Sequence, residues 1–287
     1  MTGTTGVAGT TGVTGTTGMA GTYIRVETDG PVATIRLNRP SFSGVDPRLP
    51  EEMTSAAALV GEDPAVRAVI VYGNRRIFAT GADPRDMAGR SPAAVNAHTR
   101  LLHAGFDAIA EIPKPVVAAI AGFALGGGLE LALCADFRVA GEGAVLGLPE
   151  TDLGIIPGTG GTQRLPRLIG PGPAKKLIFN ASRITATEAL TLGLVDETVP
   201  DTEVRSAAQR LAEHFAGRPT AALAAAKRAI DGGFGRPLGV GLDLEREQFA
   251  GLFTEDTTDG PRPSHRRTAP RHSSTTSRPA PASPTAS

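Results

Sequence analysis

Two five-residue apolar runs, AVIVY at Ala68–Tyr72 and VVAAI at Val116–Ile120, limit the folds open to this chain. Neither alternates with polar residues, so a strand made of either must be covered on both faces, as in the middle of a parallel sheet. Between them, Ala93–Ile112 carries apolar residues at helical spacing, with Leu101, Leu102, Phe106 and Ile109 expected on one side. Pro113 and Pro115 end that helix. Strand, helix and strand in this order predict an α/β layer fold with parallel crossovers. Upstream, Tyr23–Val26 and Val32–Leu37 flank Asp29-Gly30, a hairpin signal, and Glu51–Val60 reads as a helix with Pro50 near its first turn. Helical signals dominate after Thr159. Thr185 and Glu188 form a capping box ahead of a short helix that Gly193 closes. Pro219 opens an alanine-rich helix carrying Lys227 and Arg228, and Leu242–Phe253 is the last helical pattern.

A chain of 287 residues with 40% hydrophobic content supports one domain with a sizeable core, or at most two small ones. Formal net charge is zero, which argues against nucleic acid or an acidic membrane surface as partner. No run approaches the ~18–20 apolar residues of a membrane span, and no basic-then-apolar leader is present, so a cytoplasmic protein is expected. Cys134, the only cysteine, sits in apolar LALCAD and is expected to be a buried small hydrophobe. His98, His103 and His214 form no ligand cluster with it, so no metal is expected, and these histidines are read as helix-surface residues. The ends differ from the middle. Residues 1–21 are a Thr-Gly repeat with too little apolar surface to offset the entropy of ordering it. From about Thr257 the chain turns to Pro, Ser, Thr and Arg, read as a disordered tail over 257–287 rather than a polyanion-binding arm, because aromatics are absent.

The candidate chemistry lies between Ala118 and Leu165. Gly126, Gly127 and Gly128 follow an apolar strand and open an apolar helix. Free N–H groups at such a start favour an oxygen that is gaining electron density. The turn lacks the Gly-Lys-Ser/Thr of a phosphate loop, and no GxGxxG follows the first strand. Glu130 and Glu150 lie twenty positions apart, each beside a glycine- or proline-marked turn. Either alone reads as a helix starter or a solvated turn carboxylate. As a pair in unlike surroundings they can divide acid and base roles, provided the acid is raised well above the reference of ~4.3. Arg76–Asp83 (RIFATGAD) leaves a strand's carboxyl end, where α/β folds place ligands, although Asp83 could simply cap a helix.

AGFALGGGLELALCADFRVA, LGLPETDLGIIPGTGGTQRL and IFATGAD together resemble the enoyl-CoA hydratase/isomerase (crotonase) superfamily, and within it the hydratases, over residues 22–256. The resemblance implies a ββα spiral catalytic core over 22–196 and a helical region over 197–256 that drives assembly to a homotrimer or dimer of trimers. It implies an oxyanion hole made by the peptide N–H groups of Ala82 and Gly127. Glu130 would orient and deprotonate a water, Glu150 would deliver a proton to C2 of an enoyl thioester, and Gly158 would help position the water and carboxylate. Ser41, Phe42, Ala79, Gly81, Asp83, Arg85 and Gly126 would contact coenzyme A, which belongs to the substrate; no further cofactor is implied.

The chain departs from the family in three places. SFSGVDPRLPEEM is one residue shorter than the usual adenine-lining segment and carries an extra proline. Arg85 stands where a lysine is common, as a cationic substitute, and the Pro/Ser/Arg tail replaces a terminal helix; with the altered segment and that helix missing, weakened coenzyme binding or assembly is expected. Two other functions stay open. One is Δ3-Δ2 enoyl-CoA isomerisation or another crotonase-type acyl-CoA reaction, and the other is a non-catalytic RNA-binding role that the basic tail would serve.

Overall fold

The computed structural model describes residues 16–39, 46–81 and 88–253. The chain begins with an antiparallel meander of β1 (Thr16–Ala20), β2 (Ile24–Asp29) and β3 (Val32–Leu37). Asp29 pairs with Val32, so the hairpin loop is Gly30-Pro31, one residue later than the sequence signal suggested. Pro31 has no N–H to give the ladder and falls in the turn, while Asp29 completes the strand. β1 corrects the reading of residues 1–21: a Thr/Gly segment with little to bury is ordered by its pairing with β2, and Met19 packs against the core. Residues 1–15 and the tail 257–287 lie outside the described residues.

Helix α1 (Arg48–Glu62) buries Leu49, Met53, Ala56, Ala57 and Val60, one face at spacings of three and four. Pro50 is tolerated in its first turn, where N–H groups have no helical partner. Glu52 on this helix accepts the N–H groups of Thr22, Tyr23 and Ile24 at 2.8–2.9 Å and so fixes the start of β2.

Three ββα units follow. They are β4 (Ala68–Tyr72), β5 (Ile77–Thr80) and α2 (Pro92–Ala110); β6 (Val116–Ile120), β7 (Phe123–Leu125) and α3 (Gly127–Ala132); then β8 (Phe137–Gly141), β9 (Val145–Gly147) and α4 (Gly161–Ile169). The first strand of each unit enters a seven-stranded sheet and the second a four-stranded one, so the chain winds as a spiral between two sheets. β3, β4, β6 and β8 run parallel, as do β5, β7 and β9. After α5 (Pro171–Phe179), β10 (Arg183–Thr185) joins the small sheet, α6 (Ala186–Thr191) follows, and β11 (Glu197–Val199) closes the edge of the large one. Thr185 caps α6 with Glu188 reciprocating, as the sequence indicated.

β4 and β6 are buried throughout, and their side chains sort by parity. Val69, Val71, Val116, Ala118 and Ile120 enter one core, whereas Ile70, Tyr72, Val117 and Ala119 enter a second, beneath Ala207, Ala208 and Ala212 of α7 (Val204–Ala216). The inner face of α2 is His98, Gly105, Phe106 and Ile109. Two expectations are thereby corrected. Leu101 is half exposed, and His98, read as a surface residue, is buried because it stands one turn before Leu102 and two before Gly105 on the packed side. Helices α8 (Thr220–Gly233) and α9 (Leu238–Gly251) pack on each other at the end of the described chain. α9 starts four residues ahead of the expected Leu242, immediately after Pro237.

Candidate active site

The site forms where β5 and β7 end side by side. Gly81 donates to the carbonyl of Leu125 at 2.9 Å, and Gly126 to that of Gly147 at 2.9 Å, so three strand ends are tied together. Gly126 has φ 54° and ψ −128°, which an L side chain rarely adopts, and from there the chain turns into α3. The helix's own bonding begins with Glu130 N–H to Gly126 O at 3.0 Å. The N–H groups of Gly127, Gly128 and Leu129 precede that register. The approach is tight: a Cβ on Gly81 would lie 2.8 Å from the Gly127 nitrogen, and one on Gly128 would lie 1.9 Å from Ala79 O. Ala79 is fully buried, so its side chain offers no surface to a ligand. Gly81, Gly126 and Gly127 are thus brought together, whereas Ala82, Asp83, Arg85, Ser41 and Phe42 lie outside the described residues.

Glu130 is 2% exposed, and its carboxylate is gripped from the loop leading into α4. Thr159 N–H and Gly161 N–H both donate to Oε1 at 2.8 Å, and the Thr159 hydroxyl donates to Oε2. Gly161 opens α4, so a helix start faces the carboxylate, the arrangement that favours negative charge there. Gly158, expected to position this carboxylate, does not donate to it. Gly158 is exposed, and Thr159 and Gly161 supply the backbone donors to the carboxylate. Thr159 and Gly161 were missed because a glycine loop's sequence does not show which N–H points inward; the one signal was a hydroxyl residue inside PGTGG. Cys134, two residues past the end of α3, donates its thiol to Glu130 O at 3.3 Å. It is buried as expected, and burial pushes the thiol up to about 12.

Glu150 occupies a different environment. It lies on a single 3-10 turn, Pro149–Leu153, anchored by the buried Leu148. Its Oε1 lies 2.7 Å from where a Gly126 Cβ would stand, so the carboxyl group rests against the start of α3 and Gly126 must lack a side chain. Its Oε2 is buried and has no hydrogen-bond partner among the described residues. Burial, reinforced by the charge of Glu130, raises the group from 4.5 to about 7, with its own backbone N–H opposing. A carboxyl titrating there can give or take a proton near neutral pH. The second carboxylate, Glu130, is fixed by three donors and its charge acts on Glu150, so the two groups sense each other from unlike environments, a combination that separates acid from base. Among the described residues, no three His, Cys, Asp or Glu are grouped to hold a metal ion.

The geometry has relatives. The family model for enoyl-CoA hydratase/isomerase matches residues 27–266. The chain is 37% identical over 240 residues to crotonyl-CoA hydratase of Syntrophomonas wolfei, covering 83% of this chain and 92% of that one. It is 39% identical over 236 residues to a Dictyostelium discoideum protein named "Probable enoyl-CoA hydratase, mitochondrial", covering 82% and 84%. Among solved structures, enoyl-CoA hydratase from Bacillus anthracis superposes with a TM-score of 0.75 at 40% identity, covering 82% of this chain and 92% of that one. A Geobacillus kaustophilus relative superposes with a TM-score of 0.79 at 33% identity, covering 85% and 92%. With its spiral of ββα units and this match over most of its length, the chain belongs to the enoyl-CoA hydratase/isomerase family.

Proposed function

We propose that this protein hydrates trans-2-enoyl-CoA thioesters to 3-hydroxyacyl-CoA. The observation that carries the proposal is the pair of unlike carboxyl groups, Glu130 and Glu150, at the glycine-lined start of α3. The names of the relatives, hydratases of crotonyl-CoA and other enoyl-CoA substrates, support it. In this reading the N–H groups of Gly127 and Ala82 hold the thioester oxygen as charge builds on it. The oxygen of a water bonds to C3 and one of its protons passes to Glu130. Glu150 gives its proton to C2, and the site resets when the proton on Glu130 returns to Glu150. Each oxyanion donor is worth ~10²–10³ in rate and general acid–base catalysis ~10²–10⁴, so these groups account for a fast hydration.

Gly81 and Gly126 are proposed to face the coenzyme, with Ser41, Phe42, Asp83 and Arg85 completing that contact. The partner proposed for assembly is further copies of this chain, as a trimer or dimer of trimers. The exposed apolar residues of the terminal helices support it: Ile230, Phe234, Leu238 and Phe249 are 59–77% exposed in the single chain. Cytoplasmic residence is proposed on the bacterial relatives; among the described residues no helix is long and apolar enough to cross a membrane.

Δ3-Δ2 isomerisation is the second reading, favoured by Glu150, whose buried Oε2 has no partner among the described residues and which alone could carry a proton between carbons. Incubation with crotonyl-CoA, following loss of the conjugated enoyl absorbance, separates the two. Hydration by the wild type supports the proposal, and its absence alongside conversion of a trans-3-enoyl-CoA would favour the isomerase.

A further inference from the structure

We propose that Thr159 is a positioning residue: its hydroxyl, by occupying one side of Glu130 Oε2, fixes the direction from which that carboxylate can hold water. The inference rests on the hydratase reading above. A carboxylate offers about four lone-pair directions, two on each oxygen. On Glu130, Oε1 receives two backbone donors, Thr159 N–H and Gly161 N–H, and is filled. Oε2 receives the Thr159 hydroxyl, which leaves one direction open. The group is buried, so bulk water cannot supply alternative partners, and Thr159 is itself buried at 7% exposure.

Glu130 and Thr159 therefore act as one acceptor with a single remaining site. Glu150, with an oxygen that has no partner among the described residues, has no such constraint. Without the hydroxyl, Oε2 has two open directions, and a water bound there has two orientations instead of one. Reactions that depend on an aligned nucleophile lose up to ~10²-fold for an ångström of misplacement. The loss should fall on turnover, because Thr159 holds a catalytic carboxylate and no part of the coenzyme.

The test uses Thr159→Val, which keeps the backbone N–H and the side-chain volume, and Thr159→Ser, which keeps the hydroxyl. Both are assayed for hydration of crotonyl-CoA alone and in a Glu130→Gln background. Thr159→Val is expected to lower kcat 10- to 100-fold with KM within threefold, and Thr159→Ser to stay within threefold of wild type. In the Glu130→Gln background, Thr159→Val should change kcat by less than threefold, since the group it acts through is gone. A purely structural role would lower activity equally in both backgrounds. The proposal is overturned if Thr159→Val turns over within threefold of wild type, if its loss persists in the Glu130→Gln background, or if Thr159→Ser falls below a tenth. Should Thr159→Val not fold, the serine variant alone decides. A wild type without hydratase activity would instead sink the functional reading, and this inference with it.

Discussion

Glu150→Gln removes a group whose ionisation the fold opposes, so the variant should gain stability relative to wild type as pH rises while it loses activity. The folded carboxyl titrates at about 7 instead of 4.5. Below pH 4.5 it is protonated in both folded and unfolded chains, and the difference has no consequence. As pH rises from 4.5 to about 7, the unfolded chain ionises while the folded one resists, so the wild type loses stability over that window. Above about 7 both are ionised and the deficit is constant. At ~1.36 kcal/mol per unit the ceiling is ~3 kcal/mol; because the side chain is only partly shielded from solvent, ~1–2 kcal/mol is the expected size. Glutamine fills the same space and does not ionise. Its neutral amide adds an offset of either sign, but one that does not vary with pH. Urea unfolding of both proteins at pH 5, 6, 7 and 8.5, at one protein concentration, should show the variant gaining ~1–2 kcal/mol between the ends of the range. The same variant should lose at least ~10²-fold in hydration rate. A stability difference that is flat with pH, or that shrinks as pH rises, would refute the claim that the site holds Glu150 against ionisation.

Three further outcomes follow from individual contacts. Gly126→Ala puts a methyl group 2.7 Å from Glu150 Oε1 at a backbone with φ 54°, and should lower hydration ~10²-fold or more while destabilising by ~1–3 kcal/mol; wild-type turnover would contradict the packing at the start of α3. Thr185→Ala removes the hydroxyl that caps Glu188 N–H, and thermal unfolding should report a loss of ~0.5–2 kcal/mol with hydration unchanged. Cys134 should resist thiol reagents at pH 8 until the protein is unfolded, given its burial and a thiol pushed up to about 12; labelling at the rate of free cysteine would show that the turn after α3 opens readily.

β4 and β6 matched their sequence runs at both ends because strands buried on two faces must be apolar throughout, and few other elements produce that pattern. The capping box at Thr185 was equally legible, since both partners lie within one turn. β1 was not, because its order comes from hydrogen bonds to β2, which composition does not record. The hairpin shifted by one residue because Asp29-Gly30 and Gly30-Pro31 compete for the turn, and only the pairing register decides between them. Of the site, the two glutamates and the glycine turn could be named from sequence. The donors on Glu130 could not: which amide of PGTGG faces inward is set by α4 beginning at Gly161 after Gly160 at φ 119°. His98 illustrates the same limit, as its burial depends on how α2 is rotated against α1.

The central claim is that Glu130 and Glu150 act together on one water. Its most direct test is a double-mutant cycle for crotonyl-CoA hydration with Glu130→Gln, Glu150→Gln and the pair. Groups that form a unit are strongly non-additive. Each single change should lower kcat by at least ~10²-fold, and the double variant should be within about threefold of the weaker single one. Losses that multiply, or a single variant within threefold of wild type, would contradict it.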